Sequence, residues 1–144
     1  MVIARSRLSF VYGVIALLAL LATWHQNLHY FAGGGANPLV QFWKETFATP
    51  AAASVTLDLF LFGLVVMIWM VLEARRLSIP LVWVYLVLGL LVAISFTFPL
   101  FMIARERRLA TLGQVQPALG VGDVLGLALV GAPIIALALW SLLA

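Results

Sequence analysis

The residues with the clearest chemical potential lie in an apolar segment, residues 51–72, that carries one acid, Asp58. An ionisable side chain deep in a bilayer costs roughly 2.5 to 3.5 kcal/mol on insertion scales, so such residues often mark a proton relay or an ion pathway. Ser54 lies one helical turn before Asp58 and could hydrogen-bond to it. The structural alternative is a neutral, hydrogen-bonded carboxyl group, because an apolar environment favours the uncharged form.

Two charged clusters flank the apolar segments. At about 100° per residue, a helix places the following residues along one stripe that ends in the first cluster: Ser54, Asp58, Val65, Trp69, Glu73 and Arg76. The first cluster is Glu73, Arg75 and Arg76, and the second is Arg105, Glu106, Arg107 and Arg108. Each cluster is typical either of a docking or lipid-headgroup site or of an interfacial anchor that ends a helix.

His25 and His29 have the i, i+4 spacing that puts two side chains on one helix face. Such a pair could hold a metal, or supply an axial ligand to haem or chlorophyll. Metal sites need three or four ligands, however, and the acid nearest in sequence is Glu45. The alternative is a pair of polar residues at a helix end, so no cofactor is expected, with a pigment or haem kept as the alternative.

The composition identifies an integral membrane protein. Hydrophobic residues make up 65% of the 144 residues and charged residues 9%, whereas soluble domains have about 25% charged residues. The length allows one domain, residues 1–144. The net charge of +3 is too small for a nucleic-acid surface. The absence of cysteine excludes thiolate chemistry and Cys-ligated metals.

The fold class predicted is an all-α integral membrane bundle of four transmembrane helices with a short interfacial amphipathic helix between the first two. The predicted spans are 7–27, 51–74, 80–104 and 121–143. The interfacial helix, 38–47, follows from the cap-then-proline pair Asn37-Pro38, and the Gly33–Gly35 run before it predicts a flexible turn. Residues 109–120 read as a loop.

After the charged helix end at Arg75 and Arg76, the turn into the third span is only Leu77 to Ile79, so the second and third spans are predicted to pack antiparallel along their length. Pro99 predicts a kink near the end of the third span, close to the polar Ser95 and Thr97. In this arrangement Asp58 should point into the bundle and meet Ser95, Thr97 or Arg105.

The fourth span carries Gly122 and Gly126, a spacing that lets two helices approach closely. These glycines are expected to face another helix. The basic residues do not decide the orientation, because four straight spans place four on each side of the membrane. The N-terminus inside is favoured, since the first helix usually dominates.

Residues 8–109 resemble a family of small bacterial integral membrane proteins of unknown function. The resemblance rests on these residues: Asn37; Ser54 and Asp58; Trp69 with Glu73, Arg75 and Arg76; and Pro99-Leu100-Phe101 leading to Arg105-Glu106. It implies three membrane helices and a bacterial inner membrane, and it supplies no activity. The span at 121–143 departs from the family pattern.

The function expected from these patterns is a non-enzymatic structural or accessory subunit of a larger membrane assembly. Its partners would be the lipid bilayer and other membrane protein subunits, without nucleic acid. One alternative is a small transporter or proton-conducting protein that uses Asp58. A second alternative is a pigment- or cofactor-binding protein that uses His25 or His29. No serine-histidine-aspartate set, phosphate-binding loop or dinucleotide motif points to an enzyme.

Overall fold

The computed structural model describes residues 5–32, 37–114 and 118–143, with the backbone alone for Arg5 and Ser6. Within those ranges the helices are α1 (Arg5–Ala32), α2 (Pro38–Thr46), α3 (Pro50–Leu77), α4 (Val82–Leu88), α5 (Ile94–Thr111) and α6 (Val121–Leu143). A π-helical turn, Gly89–Ala93, joins α4 to α5. The predicted Gly33–Gly35 turn and residues 115–117 of the predicted loop lie outside the described residues.

The predicted all-helical membrane fold is confirmed. Four helical stretches are long and apolar enough to cross a membrane: Arg7–Ala32, Pro50–Leu77, Val82–Thr111 and Val121–Leu143. The described part of the chain contains no strand. The third stretch, however, is not the single helix, kinked only near Pro99, that was expected over 80–104.

The third stretch turns back on itself at Ala93. This residue has an extended backbone (φ −175°, ψ 133°) that interrupts the helix, and α5 begins directly after it. The rings of Tyr85 and Phe101 lie 5.7 Å apart, although a straight helix would separate these positions by about 24 Å. The reversal lies six residues before Pro99, where a kink was expected. The elements α4 and α5 therefore form a helical hairpin.

The hairpin closes where Gly89 lies against α5. A Cβ added to Gly89 would be 2.9 Å from Thr97 Oγ1 and 3.2 Å from Ile94 Cδ1, so only glycine fits without a shift. Between this point and the turn that joins α3 to α4, the two arms pack against the second half of α3. The buried apolar core that results is Met70, Ala74, Leu77, Ile79, Val82, Leu86, Phe101 and Leu109.

Only the second half of α3 joins this core, so the predicted packing along the full length of the second and third spans is wrong. The hairpin is too short to reach the first half of α3. That half instead meets α2, whose Trp43 ring stacks on Phe60 at 5.8 Å. The start of α3 is fixed by Thr49, which accepts a hydrogen bond from the Ala52 amide at 3.1 Å.

A tight turn leads from α3 into α4. Ser78 and Leu81 both adopt left-handed backbone conformations, with φ of 53° and 61°. Such angles are uncommon for residues other than glycine. The Ile79 amide donates to the Ala74 carbonyl at 2.9 Å and closes the helix end. The chain can therefore reverse between α3 and α4 within four residues.

Helix α1 lies antiparallel to α5. A Cβ on Gly13 would be 3.9 Å from Ile103 Cδ1, and eleven residues later Trp24 Nε1 donates to the Val92 carbonyl at 3.3 Å. Helix α6 lies on the outside of α1, where Gln26 Nε2 donates to the Ser141 carbonyl at 2.7 Å. No described residue of α6 is buried.

Candidate functional site

Glu73 lies in the last turns of α3 and is bound by two arginines. Arg105 on α5 donates from Nε to Glu73 Oε1 at 2.6 Å. Arg76, three residues along α3, donates from Nε to Oε2 and from Nη2 to Oε1, both at 2.7 Å. Only 7% of Glu73 is exposed. One buried carboxylate therefore binds two guanidinium groups from two helices.

Arg105 links this carboxylate to a second one. Its Nη1 donates to Glu106 Oε1 at 3.1 Å, and Glu106 is itself buried. The guanidinium carbon lies 5.8 Å from the centre of the Trp69 ring, within the range of a cation–π contact. Glu73, Arg76, Arg105 and Glu106 are called the Glu73 network below.

Arg108 extends the contact between α3 and α5 to the end of α3. Its Nε donates to the Leu77 carbonyl at 2.8 Å. That carbonyl belongs to the last residue of α3, which has no partner within its own helix. The second charged cluster of the sequence thus ties α5 to the C-terminal end of α3, while Arg75 and Arg107 remain exposed.

The chemistry of the Glu73 network favours a structural clamp. Two acids and two arginines sum to zero formal charge, and both oxygens of Glu73 accept N–H bonds. Among the described residues, no buried side-chain nitrogen or oxygen lacks a hydrogen-bond partner. Satisfied groups of this kind stabilise a unique packing of the helices that carry them.

Asp58 does not belong to this network, so the expectation that it points into the bundle and meets Arg105 is wrong. Its side chain is exposed. At about 100° per residue it lies about 140° around α3 from the buried Gly63. It also lies about 22 Å along α3 from Glu73. The hairpin does not extend to the level of Asp58, and Arg105 pairs with Glu73 instead.

The predicted stripe on α3 is therefore split between two surfaces. Ser54 and Asp58 are on the exposed side, whereas Glu73 is buried against α5. Of the two polar residues expected near Asp58, Ser95 is exposed. Thr97 is buried and donates to the Ala93 carbonyl at 3.4 Å, within the hairpin.

His25 and His29 sit near the end of α1, with their rings in edge contact at 5.7 Å. His29 lines a half-open cleft of about 370 Å³ together with Gln26, Tyr30, Gln41 and Glu45. Within the part of the chain that the structure describes, no three His, Asp or Glu side chains are grouped to hold a metal ion.

Glu45 joins the interfacial helix α2 to α1. Tyr30 donates its hydroxyl to Glu45 Oε2 at 2.5 Å, and Gln41 Nε2 donates to Oε1 at 3.0 Å. These two hydrogen bonds, the Tyr30 bond above all, hold the pKa of Glu45 below its ordinary value. The predicted amphipathic helix is thus fastened to the end of the first span.

Gly122 and Gly126 face open space in this chain. Nothing lies within 4 Å of a Cβ built on either residue. The expected contact with another helix is not made by any described helix of this chain.

The family model described as "Protein of unknown function DUF2834" matches residues 11–107. The chain belongs to this family. The DUF2834 segment contains α2 to α4 whole, most of α1 and α5, the complete Glu73 network and Asp58. It stops before α6, the helix without a buried residue. No curated protein and no solved structure matches the chain.

Sequence reasoning missed the pairing of Glu73 with Arg105 because it treated residues 80–104 as one helix that crosses the membrane, kinked only near Pro99. In a straight helix Arg105 lies at the end of the membrane opposite Glu73. The available signal was charge complementarity: a buried acid at one helix end needs a cation. Gly89 was the other signal, because it allows close contact between the hairpin arms.

Proposed function

We propose that this protein is a non-enzymatic helical subunit that docks onto another membrane protein through the outer face of α3. The observation that carries the proposal is the position of Asp58. It is an acid within an apolar helix, and its side chain is exposed on the half of α3 that the hairpin does not reach. Among the described residues, no hydrogen bond or ion pair reaches it.

A carboxyl group in hydrocarbon costs several kcal/mol unless it is neutral and hydrogen-bonded, or paired with a cation. Among the described residues no side chain pairs with or hydrogen-bonds to Asp58, and the described arginines lie far from it along the bundle. A donor from a second membrane protein at the same depth removes the cost. The chemistry expected of the partner is therefore a helix with a cation, amide or hydroxyl side chain at the depth of Asp58, about 12 Å from the start of α3.

The surface around Asp58 supports docking. Leu57 and Leu61 are both more than half exposed on the first half of α3. The Glu73 network meanwhile holds the second half of α3 against the hairpin. One half of α3 is thus fixed against the hairpin, and the exposed side of the other half, beyond its contact with α2, is available to a partner.

The host membrane proposed for this protein is the bacterial inner membrane. The family resemblance points to bacteria, and the basic start of α1 favours a cytoplasmic N-terminus in the inner membrane. No side chain of the Glu73 network needs a cofactor to complete its hydrogen bonds. The protein is accordingly proposed to act without a cofactor and without catalysis.

Blue native electrophoresis in a mild detergent tests the proposal. The parent chain should migrate within a complex larger than itself, and Asp58→Leu should shift it toward its own mass. Asp58→Asn should retain more of the complex, because an amide still forms hydrogen bonds. Leu90→Ala is the matched control, since Leu90 is 69% exposed but lies on the hairpin.

Two outcomes contradict the proposal. The parent chain could run at its own mass in detergents that preserve membrane assemblies. Alternatively, the purified chain alone could carry an ion or proton flux in vesicles that Asp58→Asn abolishes. The second outcome would replace docking by transport.

A further inference from the structure

The hairpin changes which ends of the helices share one side of the membrane. Arg108 on α5 contacts the Leu77 carbonyl at the end of α3, so α3 and α5 end together. Gly13 lies beside Ile103, which places the start of α1 at the same end. Gln26 of α1 contacts Ser141 of α6, so α6 finishes at the opposite end.

Neither arm of the hairpin is long enough to cross a membrane. From Val82 to Ala93 the chain rises about 18 Å, and the apolar part of α5, residues 94–104, rises about 16 Å. A bilayer core is about 30 Å thick. The hairpin therefore enters the membrane and leaves it on the side where it entered, although its total length and composition suit a single span.

The polar backbone at the hairpin tip meets the requirement for such a structure. Irregular backbone inside a membrane is tolerated where protein covers it. Here Trp24 on α1 donates to the Val92 carbonyl at 3.3 Å. Thr97 donates to the carbonyl of Ala93, the extended residue, at 3.4 Å. Two carbonyls of the tip are thus hydrogen-bonded, one by α1 and one by the hairpin itself.

This arrangement collects the arginines on one side. The end shared by the start of α1 and the ends of α3 and α5 carries Arg5, Arg7, Arg75, Arg76, Arg105, Arg107 and Arg108. Lys44, the remaining basic residue of the chain, lies on α2 at the other end. A straight third span would have divided these eight residues four and four.

We infer that the arginine-bearing end faces the cytoplasm, that the chain crosses the membrane three times, and that the end of α6 lies outside. Positively charged segments are retained in the cytoplasm during insertion. The anionic cytoplasmic leaflet then attracts them, by about 1 kcal/mol for each Lys or Arg near its surface. The inference does not depend on the proposed docking role, because it follows from the hairpin and the charges alone.

Single cysteines test this directly, because the chain has none of its own. Four variants report on three connections and on the end of α6: Ala48→Cys, Ser78→Cys, Thr111→Cys and Leu143→Cys. A maleimide that cannot cross the cytoplasmic membrane is added to intact bacterial cells and, separately, to lysed cells. Ser78→Cys and Thr111→Cys should react only after lysis, whereas Ala48→Cys and Leu143→Cys should react in intact cells.

Ser78 and Thr111 are the deciding pair, since a straight third span puts them on opposite sides. If Thr111→Cys reacts in intact cells and Ser78→Cys does not, the three-crossing topology is wrong. If both react in intact cells, the cytoplasmic assignment is wrong. A reporter enzyme fused after residue 144, active only outside the cytoplasm, repeats the test without substituting any residue, and an inactive fusion counts against the inference.

Discussion

Arg105 Nε lies 2.6 Å from Glu73 Oε1, although 32 residues separate the two in sequence. This ion pair joins the ends of α3 and α5 and exists only because the chain reverses at Ala93. It also gives the α3 carboxylate its cross-helix partner at the base of the hairpin. Loss of this pair is therefore expected to lower the free energy of unfolding.

Glu73→Gln should destabilise the fold by about 3 kcal/mol, because it removes one partner of the buried ion pair that joins α3 to α5. Thermal unfolding of the purified chain in detergent measures the effect. Arg76→Ala is the matched control. The Arg76 side chain is 53% exposed, so its loss should cost about 1 kcal/mol or less. Equal losses from both variants would show that Glu73 is not the centre of the clamp.

Asp58→Leu should leave the stability of the isolated chain unchanged or raise it, because Asp58 has no partner among the described residues. In liposomes the leucine substitution removes a carboxyl group that otherwise faces lipid, which is unfavourable. Unfolding of the reconstituted monomer, compared with Asp58→Asn, checks this expectation. A clear loss of stability with leucine would mean that Asp58 has a partner inside the chain after all.

Gly89→Leu should open the hairpin and cost about 1 to 3 kcal/mol, in the range of overpacked cores. The added atoms meet Thr97 Oγ1 and the Ile94 side chain. Gly122→Leu is the control, since nothing lies within 4 Å of its new Cβ. Thr97→Ala should partly rescue Gly89→Leu by removing the blocking hydroxyl. Thermal unfolding of the three variants tests the contact, and an unaffected Gly89→Leu would refute it.

Gly126→Leu should not alter the monomer, because open space surrounds Gly126. If α6 docks onto another helix through Gly122 and Gly126, the same substitution should weaken that association by blocking close approach of the backbones. Native gels compare the complex before and after the change. A complex that survives Gly126→Leu would remove these glycines from the interface.

Tyr30→Phe should raise the pKa of Glu45 toward its ordinary value, because the Tyr30 hydrogen bond is the largest cause of its lowering. A carboxylate with a lowered pKa stabilises the folded state above its ordinary pKa. That contribution is lost as the pH falls through the lowered value. A carboxyl-detected NMR titration of Glu45 in both forms measures the shift, with Gln41→Ala expected to give a smaller one.

Residue types and their order along the chain were enough to predict a membrane protein. Sixty-five per cent hydrophobic residues and four apolar stretches of spanning length leave no other class. The caps at Asn37 and Thr49 were equally readable, because capping depends on side chains within three residues of the helix start. These features are local, so the sequence contains them in full.

The hairpin and the Glu73 network were decided by tertiary structure. Residues 82–104 form a nearly continuous apolar run, and one extended residue at Ala93 turns it into two antiparallel arms. No local pattern marks that residue, since its conformation is stabilised by contacts from α1 and between the arms. The same reversal moved Arg105 from the end of the membrane near Asp58 to the end beside Glu73. Which charged residues pair in this protein therefore depends on the path of the chain. That path cannot be read from the periodicity of a single helix.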